Sequence, residues 1–192
     1  MLSSTNIKVK IESFLKPLVE SLAGIGITPN SITVAGFLFS LISALFIAVG
    51  NLLEASVFML LSGACDALDG MVARISGKKS RFGAFLDSFL DRYSDFFPMA
   101  AVAYLAHKSG QELLLIFALL SIAGSFSTSY ARARAEALGV ECKVGILERP
   151  ERFFLILLAL VSGYLLPFFL FLALLSNLTA LQRLFFVARR LK

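Results

Sequence analysis

The sequence predicts an all-α integral membrane protein with six transmembrane helices, preceded by an N-terminal amphipathic helix at the membrane interface. The 192-residue chain is 58% hydrophobic, above the roughly 45–50% apolar content of soluble domains, and its mean hydropathy is +0.84. Uncharged runs recur at 32–50, 113–131 and 153–181, and a helix that spans a bilayer needs about 20 such residues. Basic clusters lie between the apolar segments, as expected for a polytopic protein.

The first 26 residues form a segment of their own in this interpretation, and residues 27–192 form one membrane domain. Apolar residues recur at helical spacing with charged residues between them, which is typical of a helix in the headgroup plane. They are Ile7, Ile11, Leu15, Leu18 and Leu22. The segment lacks the continuous apolar core and small-residue cleavage site of a signal peptide. A partly disordered tail is the alternative.

The six predicted spans follow one another with alternating short turns and longer loops. Short turns with the sequences GNLLE, HKSGQE and SGYLLP lie on one side of the membrane, and the loops RISGKKSR and RARAEALGVECKVGILERPER lie with both termini on the other. Gly163 and Pro167 provide the only break between the last two spans. The predicted spans are 31–50, 53–75, 82–106, 112–137, 149–164 and 167–187.

Charge and cysteine content narrow the possible functions. With six spans, nearly all lysines and arginines outside the membrane fall on one side, which predicts a cell-membrane protein with cytoplasmic termini and a cytoplasmic active site. This topology explains the net charge of +5, so no nucleic-acid partner is required. Anionic membrane lipids are a further partner for some of these residues. Cys65 and Cys142 form neither a disulfide framework nor a CxxC motif, so redox and zinc chemistry are not indicated.

Four aspartates are the candidate site, at the facing ends of the second and third predicted spans. Asp66 and Asp69 are three residues apart, and Asp87 and Asp91 are four apart, so each pair projects from one helical face. The loop between the two helices is short, which predicts that they run antiparallel side by side. The four carboxylates should then converge in a cleft just inside the cytoplasmic boundary.

Such a cluster requires neutralisation. Two like charges 4 Å apart cost about 4 kcal/mol at an effective dielectric of about 20, so the acids are protonated or bind cations. All-carboxylate ligands suit hard ions such as Mg²⁺, Mn²⁺ or Ca²⁺, and two divalent ions would balance four aspartates. Paired ions commonly organise phosphoryl displacement. Local ion pairs with Lys and Arg, or the cation site of a cation-coupled transporter, are the alternatives.

The spacing of these residues resembles the signature of the CDP-alcohol phosphotransferase family. The match runs from Asp66 through Asp69, Gly70, Ala73 and Arg74, then through Gly83, Asp87 and Asp91. The segment GITPNSITVAG and the predicted topology over nearly the whole chain are also similar to that family. The resemblance implies an enzyme of phospholipid biosynthesis, a phosphotransferase for substituted phosphate groups. It moves a phosphoryl-alkyl group from a CDP-linked lipid, such as CDP-diacylglycerol or CDP-archaeol, to an alcohol and releases CMP.

The resemblance also implies residue roles. Mg²⁺ or Mn²⁺, with two ions expected, would bind Asp66, Asp69 and Asp87. Asp91 would be either a further metal ligand or the catalytic general base, and the sequence leaves both roles open. Asp95 lies outside the signature, as a surface polar residue or as a partner of the site residues. The CDP pocket would be lined by Gly70, Ala73, Arg74 and Gly83.

The longer basic loop, RARAEALGVECKVGILERPER, suggests the chemical class of the acceptor. Its basic residues beside the metal cleft would suit an acceptor that carries a phosphate, although positive-inside bias alone would also produce them. The loop is similar to that of the inositol-phosphate branch of the family, which implies myo-inositol phosphate as acceptor. Glycerol 3-phosphate as acceptor and CDP-inositol as donor remain alternatives, and a homodimer is expected from the family. The candidate acceptor residues are Arg132, Lys143, Arg149 and Arg152.

Overall fold

A computed structural model describes Pro17, Val19, Ser21, Gly24 and residues 26–191. This part of the chain is all-helical, which confirms the predicted class. The predicted amphipathic helix over residues 1–26 lies mostly outside the described residues. The helices are α1 Pro29–Ala48, α2 Leu52–Ile75, α3 Arg81–Lys108, α4 Glu112–Ala137, α5 Arg149–Ser162 and α6 Leu165–Arg190.

Four of these helices, α1, α2, α4 and α6, are long and apolar enough to cross a membrane. The protein is therefore a multi-pass membrane protein. Helix α3 has 28 residues but carries the charged side chains of the candidate site, and α5 has only 14 residues, fewer than the about 20 that a span needs. That these two helices also cross the membrane stays a prediction.

Short turns and longer loops alternate along the bundle, as the sequence predicts. The turns after α1, α3 and α5 each contain a glycine with positive φ, a backbone conformation that glycine adopts without steric cost. They are Gly50, Gly110 and Gly163. The longer connections, residues 76–80 and 138–148, lie at the opposite end because consecutive helices alternate in direction. The candidate site residues cluster at that end.

Helix α1 determines how the helices around the site are arranged. It packs against both α2 and α3, while α2 and α3 make at most a marginal contact with each other. The expectation that these two helices pack side by side is therefore wrong. Gly36 allows α1 to approach α2 closely, since a Cβ atom there would lie 3.0 Å from the Cβ atom of Cys65. With α1 packed against both neighbours, α2 and α3 remain separated by a cleft.

The main hydrophobic core lies toward the short turns, away from the aspartates. Its fully buried members include Ile47, Met99, Leu160 and Phe169. A smaller apolar cluster, formed by Val19, Ile32, Met71 and Val72, lies near the other ends of α1 and α2. Helix α5 packs between α2 and α6 and also contacts α3. This arrangement brings the first turn of α5, with Arg149 and Arg152, next to the aspartates.

Candidate active site

Three of the predicted aspartates form a compact carboxylate cluster. Asp66 of α2 and Asp87 and Asp91 of α3 each offer an oxygen, and these oxygens lie within 4.8 Å of one another. One oxygen of Asp87, Oδ1, is buried and has no hydrogen-bond partner in the described part of the chain. An all-oxygen donor set with an unsatisfied buried ligand atom fits a hard divalent ion such as Mg²⁺ or Mn²⁺.

Asp69 lies next to this cluster, in a more enclosed setting. Asp69 is 7% exposed, and its Oδ2 accepts a hydrogen bond of 2.6 Å from Thr33 Oγ1 on α1. Asp69 is outside the group of three carboxylates whose oxygens lie within 4.8 Å. Thr33 orients this carboxylate, and the sequence analysis did not identify it.

A small cavity adjoins the cluster on the side of α1 and the 76–80 loop. Its volume is about 250 Å³, and Asp69 and Asp87 form its inner wall. All four residues predicted for the CDP pocket line it: Gly70, Ala73, Arg74 and Gly83. A Cβ atom at Gly83 would lie only 2.9 Å from Asn30 Oδ1 and 3.0 Å from Ser80 Oγ. A side chain at this position would have to displace the side chains of Asn30 and Ser80.

A larger cavity, of about 640 Å³, lies on the other side of the cluster between α3, α4, α5 and α6. Asp91 lines it together with five arginines, and we call it the arginine-lined cavity. These arginines are Arg92, Arg132, Arg149, Arg152 and Arg183. Lys143, which was predicted as an acceptor residue, is not among the residues that line this cavity. It pairs with Glu141 on the exposed loop.

Arg149 lies at the junction between the carboxylate cluster and the arginine-lined cavity. Its Nη1 donates to Asp66 Oδ1 at 2.8 Å, and its Nη2 is 2.7 Å from Asp91 Oδ1. Its Nε is 3.7 Å from Asp95 Oδ1. Arg132 is more exposed and pairs with Glu136 one helical turn away, at 2.9 Å.

Asp95 is buried, so it is a partner of site residues and not a surface polar residue. It is 9% exposed, and Arg152 is 2% exposed. Arg152 Nη2 donates to Asp95 Oδ2 at 2.8 Å, and Ser125 Oγ donates to the same oxygen at 3.2 Å. The sequence left both interpretations of Asp95 open because its partner is 57 residues away along the chain.

Two arginines of the arginine-lined cavity were not predicted as site residues. Arg92 pairs with Asp91 at 3.9 Å and donates to Ser129 on α4. Arg183 donates to Thr128 O and to Val144 O, both at 2.8 Å, and so joins α4, α6 and the 138–148 loop. A usable signal existed, because Arg183 is the first charge after a long uncharged run that begins at Phe153. A charged residue within such a segment suggests a functional site.

The fold and the site define a membrane protein with a carboxylate cluster suited to divalent ions. Residues 26–188 match the CDP-alcohol phosphatidyltransferase family, and the chain belongs to that family. It is therefore an enzyme of phospholipid biosynthesis, and the transporter alternative has no support.

Several named relatives are archaetidylinositol phosphate or phosphatidylinositol phosphate synthases. The chain is 38% identical over 188 residues to the archaetidylinositol phosphate synthase of Methanothermobacter thermautotrophicus, covering 95% of this chain and 92% of that enzyme. It is 36% identical over 158 residues to the phosphatidylinositol phosphate synthase of Mycobacteroides abscessus, covering 79% of this chain and 72% of that one.

A solved structure is also similar. The crystal structure of Mycobacterium tuberculosis phosphatidylinositol phosphate synthase with CDP-DAG bound has a TM-score of 0.83 at 34% identity, covering 89% of this chain and 92% of that one. The same enzyme in complex with manganese and citrate has a TM-score of 0.84 at 33% identity, covering 89% and 87%. The family uses divalent metals, which agrees with the predicted Mg²⁺ or Mn²⁺ cofactor and with the carboxylate cluster.

Proposed function

We propose that this enzyme transfers the phosphoryl-alkyl group of a CDP-linked lipid to myo-inositol phosphate, releasing CMP and forming a phosphodiester phospholipid. The observation that carries the acceptor assignment is the arginine-lined cavity, which opens directly beside Asp91. Guanidinium groups bind phosphate oxygens through paired, charge-assisted hydrogen bonds. The named relatives, archaetidylinositol phosphate and phosphatidylinositol phosphate synthases, support the same acceptor.

The donor side of the proposal is the cavity of about 250 Å³ lined by Gly70, Ala73, Arg74 and Gly83. The small residues leave space for the nucleotide between the helices, and Arg74 offers a guanidinium to a phosphate oxygen. Asp66, Asp69 and Asp87 are the proposed ligands of two divalent ions, and Asp91 is either a further ligand or the general base. When bound, such ions neutralise charge on the donor pyrophosphate and on the departing CMP.

On the acceptor side, Arg149 and Arg152 are the proposed ligands of the acceptor phosphate, with Arg132 at the more exposed edge of the cavity. Held there, the acceptor would present its hydroxyl group toward Asp91, which lines the same cavity. Asp91 is the candidate general base for that hydroxyl, because its carboxylate belongs both to the cluster and to the cavity wall. Lys143 has no part in this proposal.

The membrane arrangement completes the proposal. We infer six spans, with both termini and the active site on the cytoplasmic side, because the basic loops and the carboxylate cluster lie at the same end of the bundle. The donor tails would then stay in lipid while a water-soluble acceptor arrives from the cytoplasm. A homodimer is also proposed, and its test is the mass of the purified protein in detergent by light scattering.

The test of this function is CMP release by the purified protein in detergent. CDP-diacylglycerol, CDP-archaeol and CDP-inositol are tested as donors with Mg²⁺ or Mn²⁺, and the acceptors compared are myo-inositol 1-phosphate, glycerol 3-phosphate, serine and free inositol. Release with inositol phosphate alone is expected. Preference for glycerol 3-phosphate would support the enzyme class but contradict the acceptor assignment. Activity with CDP-inositol as the only donor would contradict the assignment of a lipid donor.

A further inference from the structure

Asp95 connects the two arginines that are proposed to bind the acceptor phosphate. Its Oδ2 accepts the hydrogen bond from Arg152 Nη2 at 2.8 Å, and its Oδ1 is 3.7 Å from Arg149 Nε. One carboxylate thus faces both guanidinium groups at the wall of the arginine-lined cavity. Asp95 is itself absent from the residues that line that cavity, so within it Asp95 acts on the acceptor through the arginines. Asp95 also lines a separate cavity of about 630 Å³, together with Asp66 and Arg149.

Burial makes this pairing necessary for Arg152. A buried guanidinium without a counter-charge is strongly destabilising, and Arg152 is 2% exposed. The described residues leave its Nε without a hydrogen-bond partner, although the residue lines the cavity. Asp95 therefore fixes the Nη2 end of Arg152 and leaves a donor of the same side chain unsatisfied. This pairing fixes the guanidinium plane of Arg152 at the wall of the cavity.

Arg149 depends on Asp95 in a different way. Its other two carboxylate partners, Asp66 and Asp91, both belong to the carboxylate cluster that fits a divalent ion. Of its three carboxylate partners, Asp95 alone is outside that cluster. Asp95 can therefore hold Arg149 at the cavity wall independently of what the cluster binds.

We propose that Asp95 is a positioning residue for the acceptor, which orients Arg149 and Arg152 toward the acceptor phosphate. This inference rests on the proposed function, since it assigns the two arginines to that phosphate. It also predicts a role for Ser125, whose hydroxyl group is buried and donates to Asp95 Oδ2 at 3.2 Å.

The experiment compares steady-state kinetics of Asp95→Asn, Ser125→Ala and Asp95→Glu with the unmodified enzyme. For Asp95→Asn we expect the KM for myo-inositol 1-phosphate to rise at least tenfold, while the KM for the CDP-lipid changes less than twofold. Ser125→Ala should also raise the acceptor KM, by a smaller factor. For Asp95→Glu we expect an acceptor KM between those of the unmodified enzyme and Asp95→Asn. Ser43→Ala is the matched stability control, because it removes a buried hydroxyl group that donates to Ala55 O, far from the site.

Two outcomes would overturn the inference. One is an unchanged acceptor KM in Asp95→Asn, and the other is an equal rise of both KM values, which a general distortion of the active site would produce. If Asp95→Asn does not fold, the same criteria apply to Ser125→Ala. If the acceptor KM is unchanged in Asp95→Asn but raised in Arg149→Ala, the positioning role of Asp95 is wrong and the proposed function still holds. No CMP release with inositol phosphate by the unmodified enzyme would remove the proposed function instead.

Discussion

Asp87 shows that a carboxylate of this site lies in an energetically unfavourable environment. Its Oδ1 is buried without a hydrogen-bond partner among the described residues, and its carboxylate lies close to those of Asp66 and Asp91. An unpaired buried acceptor costs about 1–3 kcal/mol, and more when it is charged. A divalent ion would satisfy this oxygen and offset the mutual repulsion of the three acids.

Replacing this carboxylate tests the metal assignment. Asp87→Asn should weaken Mn²⁺ binding by about 10–100-fold or more, a range that even residues outside the ligand shell reach. Titration of free Mn²⁺ followed by electron paramagnetic resonance measures this without any turnover. Glu54→Gln is the control, because it removes an exposed carboxylate from the first turn of α2. Equal Mn²⁺ affinity in both variants would remove Asp87 from the ligand set.

The nucleotide pocket is tested at Gly83. A tryptophan there would displace the side chains of Asn30 and Ser80 and occupy part of the cavity of about 250 Å³. Gly83→Trp should therefore abolish Mg²⁺-dependent retention of CDP, measured by equilibrium binding of labelled CDP. Phe85→Trp is the matched control, since this side chain is 63% exposed on the same helix. CDP binding by Gly83→Trp at the unmodified level would contradict the pocket assignment.

The contact between α4 and α6 includes small and polar residues at its centre. Between α4 and α6, Thr128 Oγ1 donates to Ser176 O at 2.9 Å, and Asn177 Nδ2 donates to Leu120 O at 2.9 Å. Gly124 allows this approach, because a Cβ atom there would meet the backbone nitrogen of Asn177 at 2.8 Å. Small residues play this role in membrane helix packing, where the hydrophobic effect does not distinguish protein from lipid.

This contact predicts the effect of a larger residue at position 124. Gly124→Val should push α4 and α6 apart and destabilise the protein by roughly 1–3 kcal/mol, as overpacking does elsewhere. A fall in Tm of the detergent-solubilised protein measures the effect. Ala123→Val adds volume at the neighbouring exposed residue and should leave Tm nearly unchanged. An equal Tm for the two variants would show that the α4–α6 contact does not require a glycine.

The whole molecule separates its chemistry from its apolar core. The short turns and the main core lie at one end of the bundle. The carboxylate cluster, the small cavity beside it and the arginine-lined cavity lie at the other end. The loops at the cluster end carry Lys78, Lys79 and Lys143. The positive-inside rule supports the proposed cytoplasmic orientation of this end, from which a water-soluble acceptor would arrive.

Labelling of introduced cysteines tests that orientation. In a variant without Cys65 and Cys142, Lys79→Cys should resist a membrane-impermeant maleimide in intact cells, and Ser109→Cys should react. Both residues are exposed, in connections at opposite ends of the bundle. Labelling after permeabilisation serves as the control for reactivity. The reverse pattern would invert the proposed topology.

The sequence by itself determined the helical membrane class, the short turns and the aspartate spacing, and its resemblance to the family predicted four residues that line one cavity. These features are local: hydropathy, glycine turns and helical periodicity act over a few residues, so they can be read along the chain. The match of Gly70, Ala73, Arg74 and Gly83 to one cavity follows from two short segments joined by a five-residue connection.

Only the tertiary structure decided how distant segments meet. It separates α2 from α3 because α1 packs against both, and it joins Asp95 to Arg152 across 57 residues. It also brings Arg183 to the arginine-lined cavity and leaves Lys143 on the exposed loop. A buried charge is paired by whichever opposite charge the packing brings within reach. No local pattern encodes that choice, since it depends on the arrangement of helices far apart in the chain.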